Sequence, residues 1–219
     1  METSAGIGPA VRSTYRHGDL RRALIEAGVE LARHGGPDAV VLREATRRAG
    51  VVPNAAYRHF ASRRELLQAV RSAALAALAA AMESELAGLP PRDHPGDHSA
   101  DFARASLRAV GTAYLHFAQQ ETGLFRAGFA VLDDSPNRPD PDKAGPGGRN
   151  PFELLGDALD RLVEAGALPP ERRPGAEYLA WSAVHGLAML MIDGPLHRLP
   201  AAQVDDIGQH LLDMVEKGL

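Results

Sequence analysis

The chain has 219 residues, enough to bury a substantial core in one large domain or two small ones. Its composition, 45% hydrophobic and 24% charged, is ordinary for a soluble globular protein, and the absence of cysteine excludes disulfides, thiolate zinc sites and cysteine nucleophiles. The net charge of −4 conceals an asymmetry, because residues 11–71 carry twelve arginines against six acids, whereas residues 72–219 carry twelve basic residues against twenty-one acids. A basic N-terminal third is suited to neutralising phosphates, although an arginine-rich solvated surface has the same charge.

Apolar residues at helical spacing, interrupted by glycine and proline, predict an all-α chain. Alanine and leucine are abundant, which favours helix. Ser62 and Glu65 form a capping box at the start of a long fourth helix. The predicted helices are, in chain order, residues 18–33, 42–49, 53–59, 62–86, 102–120, 122–132, 151–165, 176–192 and 200–217.

The segments outside these helices have no recognisable catalytic or metal-binding motif. Residues 1–14 predict a disordered leader without a signal peptide, residues 89–97 a solvated linker, and residues 133–150 a mobile loop rich in proline and glycine. In the linker, His94 and His98 are separated by a proline and a glycine that break the helix a metal site would need. No window reaches the roughly 18 apolar residues of a membrane span. We expect a cytoplasmic protein that needs no metal or cofactor and makes no membrane contact.

Two short helices around Gly50 have the pattern of a helix-turn-helix. Gly50 allows a positive φ at the turn, and Pro53 suits the first turn of the following helix. Asn54 and Ala55 lie at the end of that helix that meets base edges, where Asn pairs with adenine and Ala contacts a thymine methyl. The candidates for contacts to phosphate are Arg43, Arg47, Tyr57, His59 and Arg63.

Plainer interpretations of these residues remain open. Phe60 and Tyr57 fit a core position that pins the third helix, and Asn54 fits a helix cap. The arginines of the second helix fit a solvated surface.

Residues 15–70 resemble the tetracycline-repressor (TetR) family of bacterial transcription regulators. The resemblance rests on YRHGDLR at the start of helix one and on LREATRRAGVVPNAAYRHFASRRELL at residues 42–67. It assigns DNA-contacting roles to Arg43, Asn54, Tyr57, His59 and Arg63. Two later segments, YLHFAQQETGLFRAGF at 114–129 and WSAVHGLAML at 181–190, resemble a branch with a Trp-His-Gly signature. Departures from the family pattern at Val41, Thr46, Val52 and Ala56 put the operator affinity in doubt.

The resemblance implies a helix-turn-helix domain over residues 15–70 and a helical ligand-binding and dimerisation domain over residues 71–219. It further implies a small-molecule pocket and a dimer formed by the last two helices. An intrachain core would explain the same apolar residues, and a hydrogen-bonded interior histidine would explain His185. The candidate pocket residues are Phe102, Tyr114, Phe117, Phe125, Phe129, Phe152, Trp181, His185 and Met189.

These features predict a ligand-responsive transcriptional regulator, most simply a repressor, that binds a double-stranded DNA operator as a homodimer and responds to a small-molecule effector. Helix four, residues 62–86, is the expected hinge because it joins both regions. An activator would have the same features. Two alternatives are a helical small-molecule-binding protein or enzyme with a vestigial DNA-binding domain, and an architectural protein without sequence preference. No catalytic motif is present, which disfavours an enzyme.

Overall fold

The structure, a computed structural model, describes residues 17–90, 99–130 and 140–219. Within these ranges the chain forms α-helices and short 3₁₀ turns and no strand. The all-α fold class predicted from the sequence is therefore confirmed. The helices are α1 (His17–Gly35), α2 (Leu42–Arg48), α3 (Pro53–Ala56), α4 (Arg63–Ala87), α5 (Ala100–Gln120), α6 (Thr122–Gly128), α7 (Pro151–Glu164), α8 (Ala176–Ile192) and α9 (Ala201–Gly218).

The observed boundaries follow the predicted ones, with two shortened helices. Helix α3 ends at Ala56, and the predicted residues up to His59 form a turn. Helix α6 ends at Gly128, and the end of its predicted range falls among residues 131–139, outside the described part of the chain. The predicted leader and the two linker histidines, His94 and His98, also lie outside it.

Local chemistry explains where the early helices begin and end. Gly50 has a φ of 68°, the left-handed conformation expected at this turn. The Ser62 hydroxyl accepts a hydrogen bond from the backbone N–H of Glu65, and the Glu65 carboxylate accepts one from Ala61. Val41 and Val52 occupy the N-caps of α2 and α3 and supply no side-chain bond. These two helices are therefore held mainly by packing.

Helix α4 is the centre of the molecule. It packs against α1, α5, α6 and α7, and one continuous apolar core runs from Leu24 in α1 to Leu212 in α9. By length and composition alone α4 is apolar enough to cross a membrane, which the sequence analysis did not anticipate. More than half of its apolar window is buried against other helices, as in the core helix of a globular protein.

The prediction of a mobile loop over residues 133–150 is corrected for its described part. A 3₁₀ turn, Pro141–Lys143, packs against α4, and Lys143 is buried. The Ser72 hydroxyl donates to Asp140 at 2.9 Å, and the Gly147 N–H donates to Glu83. These contacts join residues more than sixty positions apart, so the local proline and glycine content does not reveal them.

Candidate functional site

The inner side of the helix-turn-helix is closely packed. Thr46 and Ala56 are buried, and Val51 is half-buried between the helices. Phe60 is buried in the core with the Arg21 guanidinium 5.5 Å from its ring centre, which confirms the plainer interpretation of this aromatic residue. The Thr46 hydroxyl donates to the Arg43 carbonyl at 2.7 Å, so the larger side chain at this crossing satisfies its own polar group.

The outer side of α3 is open to solvent. Asn54 is exposed and Ala55 is half-buried, while Tyr57 is 58% exposed. Two neighbours that the sequence analysis did not select are also accessible: Val52, 68% exposed at the start of α3, and Arg58. Arg58 follows Asn54 by four residues, and this helical spacing could have placed it on the same face as Asn54. This surface presents an amide, an aromatic ring, methyl groups and a guanidinium.

The predicted phosphate contacts have different surroundings. Arg43 is exposed, and His59 is half-buried. Arg47 donates from Nε to Glu44 at 3.0 Å, and this bond lowers the pKa of the Glu44 carboxyl. Arg63 donates to the backbone carbonyls of Val40 at 2.8 Å and Pro37 at 2.7 Å. Arg63 therefore ties the start of α4 to the connection between α1 and α2.

A cavity of about 70 Å³ lies among α4, α5, α7, α8 and α9. Its walls are mostly apolar, with leucine, valine and methionine side chains filling the spaces between the aromatic rings. The aromatic residues that line it are four of the nine predicted pocket residues, Tyr114, Phe129, Phe152 and Trp181.

A short hydrogen-bonded chain stiffens one wall of this cavity. The Trp181 indole N–H donates to the Tyr114 hydroxyl at 3.2 Å, and that hydroxyl lies 2.7 Å from Nδ1 of His185. Burial raises the pKa of the Tyr114 phenol and lowers the pKa of the His185 imidazole. Both groups are therefore neutral near pH 7, as an interior polar network requires.

The remaining predicted pocket residues lie away from the cavity lining. Phe117 and Phe125 are core residues, and Phe102 is half-buried near the start of α5. Met189 is exposed on the outer face of α8. Charged residues missed by the sequence analysis also line the cavity, namely Arg71, Arg108, Lys143 and Glu216. Charged residues are typical of surface positions, so their types gave no signal that these four side chains line a cavity.

The last two helices expose an apolar surface. Within the described part of the chain, eight large hydrophobic residues are exposed, and three of them belong to the helix-turn-helix. The other five lie on α8 and α9: Tyr178, Leu179, Met189, Leu190 and Met214. Among the described residues no group of three or more histidine or acidic side chains is placed to hold a metal ion.

Comparison with known families agrees with this architecture. Residues 24–70 match the profile described as "Bacterial regulatory proteins, tetR family", and residues 107–215 match "Tetracyclin repressor-like, C-terminal domain". The chain belongs to the TetR family of bacterial DNA-binding regulators. The two matches cover the helix-turn-helix and most of the helices that enclose the cavity. A comparison with curated proteins gives no match.

Solved structures share the whole fold. A protein of unknown function from Rhodococcus sp. RHA1 is 26% identical, with a TM-score of 0.70 over 95% of this chain and 99% of that one. FadR from Bacillus subtilis, in complex with stearoyl-CoA, is 13% identical with a TM-score of 0.64 over 90% of this chain and 98% of that one. TetR from Acinetobacter baumannii AYE is 20% identical, with a TM-score of 0.56 over 94% of this chain and 96% of that one. The last two similarities show a shared fold.

Proposed function

We propose that the chain is a ligand-responsive transcriptional repressor that acts in the cytoplasm and binds a near-palindromic operator as a homodimer. Residues 15–70 read the DNA, and residues 71–219 bind the effector and pair the two protomers. The observation that carries this proposal is the position of α4, which contacts the helix-turn-helix at one end and forms a wall of the cavity at the other.

One continuous helix, α4, connects the helix-turn-helix domain to the cavity. Near its start, Leu66 and Val70 pack on α1 so closely that a Cβ added to Gly28 would lie 2.5 Å from Cγ2 of Val70. One residue further on, Arg71 lines the cavity, followed by Leu75 and then Met82. A ligand that favours one position of α4 therefore also favours one position of α1. Such a ligand shifts the population away from the DNA-bound spacing.

On DNA, α3 would enter the major groove with Asn54 and Ala55 toward the base edges. Arg43, Arg47, Tyr57, His59 and Arg63 stay the predicted phosphate contacts, and the exposed Arg58 joins them. The ion pair of Arg47 with Glu44 and the carbonyl contacts of Arg63 leave Arg43 the least constrained of the three predicted arginines.

The exposed apolar surface of α8 and α9 supports pairing of two copies. Leu179 and Leu190 lie about three helical turns apart on the same face of α8, and both are exposed together with Tyr178. Exposed large apolar side chains along one helix face are typical of an interaction site. A self-complementary contact between two such surfaces gives a dimer with two-fold symmetry. That symmetry matches a near-palindromic operator.

Related folds support a small-molecule effector. The solved structures include FadR in complex with stearoyl-CoA and a TetR variant from Acinetobacter baumannii in complex with minocycline. The resemblance of Trp181, His185 and Gly186 to a Trp-His-Gly branch stays an expectation of the sequence analysis.

The test is fluorescence anisotropy of the purified chain with DNA fragments tiled around its own gene, with excess nonspecific competitor and a salt series. We expect one fragment to survive competition with two protomers bound. Asn54→Ala should lower the affinity for that fragment by about tenfold or more and leave nonspecific binding unchanged. Arg43→Met should lower the affinity for all fragments equally and reduce the slope of log affinity against log salt concentration by about one. Arg22→Met, an exposed arginine of α1, serves as the matched control.

The alternatives give distinct results in this assay. Equal, salt-labile binding to every fragment would indicate an architectural protein. No DNA binding by a folded chain would indicate a small-molecule-binding protein with a vestigial helix-turn-helix, and would reject the proposed repressor.

A further inference from the structure

Two cations are buried in the wall of the cavity. Arg71, from α4, is 4% exposed, and Lys143, from the 3₁₀ turn, is 2% exposed. Both line the cavity together with the aromatic residues. Removing a full charge from water is costly unless an opposite charge or a set of hydrogen bonds compensates for it. The groups that compensate these two cations therefore set the net charge of the cavity, and with it the charge of a ligand that fits.

Arg71 is only partly satisfied. Its Nε donates to the backbone carbonyl of Gly128 at 3.1 Å, which is a neutral acceptor. Its Nη1 is buried and has no hydrogen-bond partner within the described residues. A guanidinium can present two parallel N–H groups to a carboxylate, and the unpartnered Nη1 leaves Arg71, which lines the cavity, with hydrogen-bonding capacity for an anion.

Among the described residues, Lys143 has one acidic group within ion-pair distance, and it shares that group with a serine. Its Nζ lies 3.7 Å from Oδ2 of Asp140, and the same oxygen accepts a hydrogen bond from the Ser72 hydroxyl at 2.9 Å. Within the described part of the chain, one carboxylate therefore compensates the two cations Arg71 and Lys143, and one positive charge is left over.

The other charged groups of the lining balance one another. Arg108 bonds to Asp213 and to Glu216, the latter at 3.2 Å, and Arg104 lies 3.3 Å from Glu216. His185 behind Tyr114 is kept neutral by burial, which lowers its pKa. The excess charge of the cavity is therefore localised at Arg71 and Lys143.

We propose that the cavity binds a compact apolar molecule with a single carboxylate, which pairs with Arg71 and Lys143 while its ring or short chain packs against Phe129, Phe152 and Trp181. The inference rests on the proposed function only in taking this cavity as the effector site. A cavity volume of about 70 Å³ favours a compact ligand. A phosphate monoester carries about −1.5 to −2 charges and exceeds the single unbalanced charge.

Trp181 makes the test direct, because it is the single tryptophan of the chain and lines the cavity. The full chain is titrated with phenylacetate and hexanoate and with their uncharged amides, phenylacetamide and hexanamide, and the tryptophan emission is recorded. We expect saturable changes, with each acid bound at least about tenfold more tightly than its amide. Phenyl phosphate should bind more weakly than phenylacetate.

Variants assign the preference to the two cations. Arg71→Met and Lys143→Met should each reduce the preference for acid over amide, while Arg71→Lys should retain part of it. Arg161→Met is the matched control, because Arg161 also has a buried Nη1 without a hydrogen-bond partner but does not line the cavity. This control should keep the preference of the unmodified chain.

Equal affinity for acid and amide in the unmodified chain, tighter binding of phenyl phosphate, or no saturable response to any probe would each overturn the inference. The comparison of acid, amide and phosphate probes uses the unmodified chain alone, so it tests the proposed ligand even where Arg71→Met fails to fold. Operator binding, measured on the same samples, separates the two proposals. DNA binding without an acid preference rejects the carboxylate ligand alone, and acid binding without DNA binding rejects the repressor alone.

Discussion

The Tyr114 hydroxyl lies 2.7 Å from Nδ1 of His185 and joins α5 to α8 across the wall of the cavity. The indole N–H of Trp181 already donates to the same oxygen, so the hydroxyl hydrogen is available to the imidazole. His185 then accepts at Nδ1 and carries its proton at Nε2. A single hydroxyl thus satisfies two polar groups of α8.

We predict that Tyr114→Phe lowers the free energy of unfolding by about 1–3 kcal/mol, because it leaves the Trp181 N–H and His185 Nδ1 without their partner. Urea unfolding followed by circular dichroism measures the change. Tyr57→Phe, which removes an exposed hydroxyl, should stay within about 0.5 kcal/mol of the unmodified chain. Equal losses in the two variants would contradict a structural role for the Tyr114 hydroxyl.

The stability of the chain should depend on pH through His185. Burial lowers the pKa of His185 below its ordinary value of 6.5, so below pH 6.5 the unfolded chain binds more protons than the folded one. This contribution to stability is fully present above pH 6.5 and is lost as the pH falls from 6.5 through the folded-state pKa. Urea unfolding at pH 7.5 and pH 5.5 measures the effect. Between these two pH values, the free energy of unfolding should fall less for His185→Gln than for the unmodified chain. Parallel losses would contradict the prediction.

The fold was largely predictable because local patterns dictate it. Apolar residues at helical spacing set the nine helices of the described residues, and Gly50 and Pro53 set the turn that joins α2 to α3. The segment after Asp140 was not predictable in this way. Its order comes from contacts with Ser72 and Glu83, which are distant in sequence.

The candidate site was predictable only in part. Aromatic side chains have a strong preference for the interior, so Phe129, Phe152 and Trp181 could be selected from their types and spacing. Arg71 and Lys143 could not, because lysine and arginine are almost always exposed unless paired, and the groups around them come from distant parts of the chain. The charge of the cavity is therefore a property of the tertiary structure.

The contact between α6 and α1 offers a test of close packing. A Cβ added to Gly123 would lie 2.3 Å from the Ala32 carbonyl oxygen and 2.5 Å from that of Arg33, both backbone atoms that cannot rotate away. We predict that Gly123→Ala lowers the free energy of unfolding by about 1–3 kcal/mol, because the helices must separate. Gly156→Ala in α7 is the control, since its Cβ would meet only Arg173 at 3.7 Å. If both variants keep the stability of the unmodified chain in thermal unfolding, the close approach of α6 to α1 is not a constraint.

The exposed face of α8 leads to a prediction about assembly. Leu190 is 46% exposed in the single chain, and a glutamate there would place a charge within the proposed dimer contact. Sedimentation should give twice 23.3 kDa for the unmodified chain and 23.3 kDa for Leu190→Glu, with helical content and thermal unfolding of the monomer retained. Because two linked DNA-binding domains bind far more tightly than one, operator affinity should fall by at least about 100-fold. Gln120→Glu, an exposed position at the end of α5, adds the same charge elsewhere and should stay dimeric. A dimer that survives Leu190→Glu would place the contact between protomers on another surface.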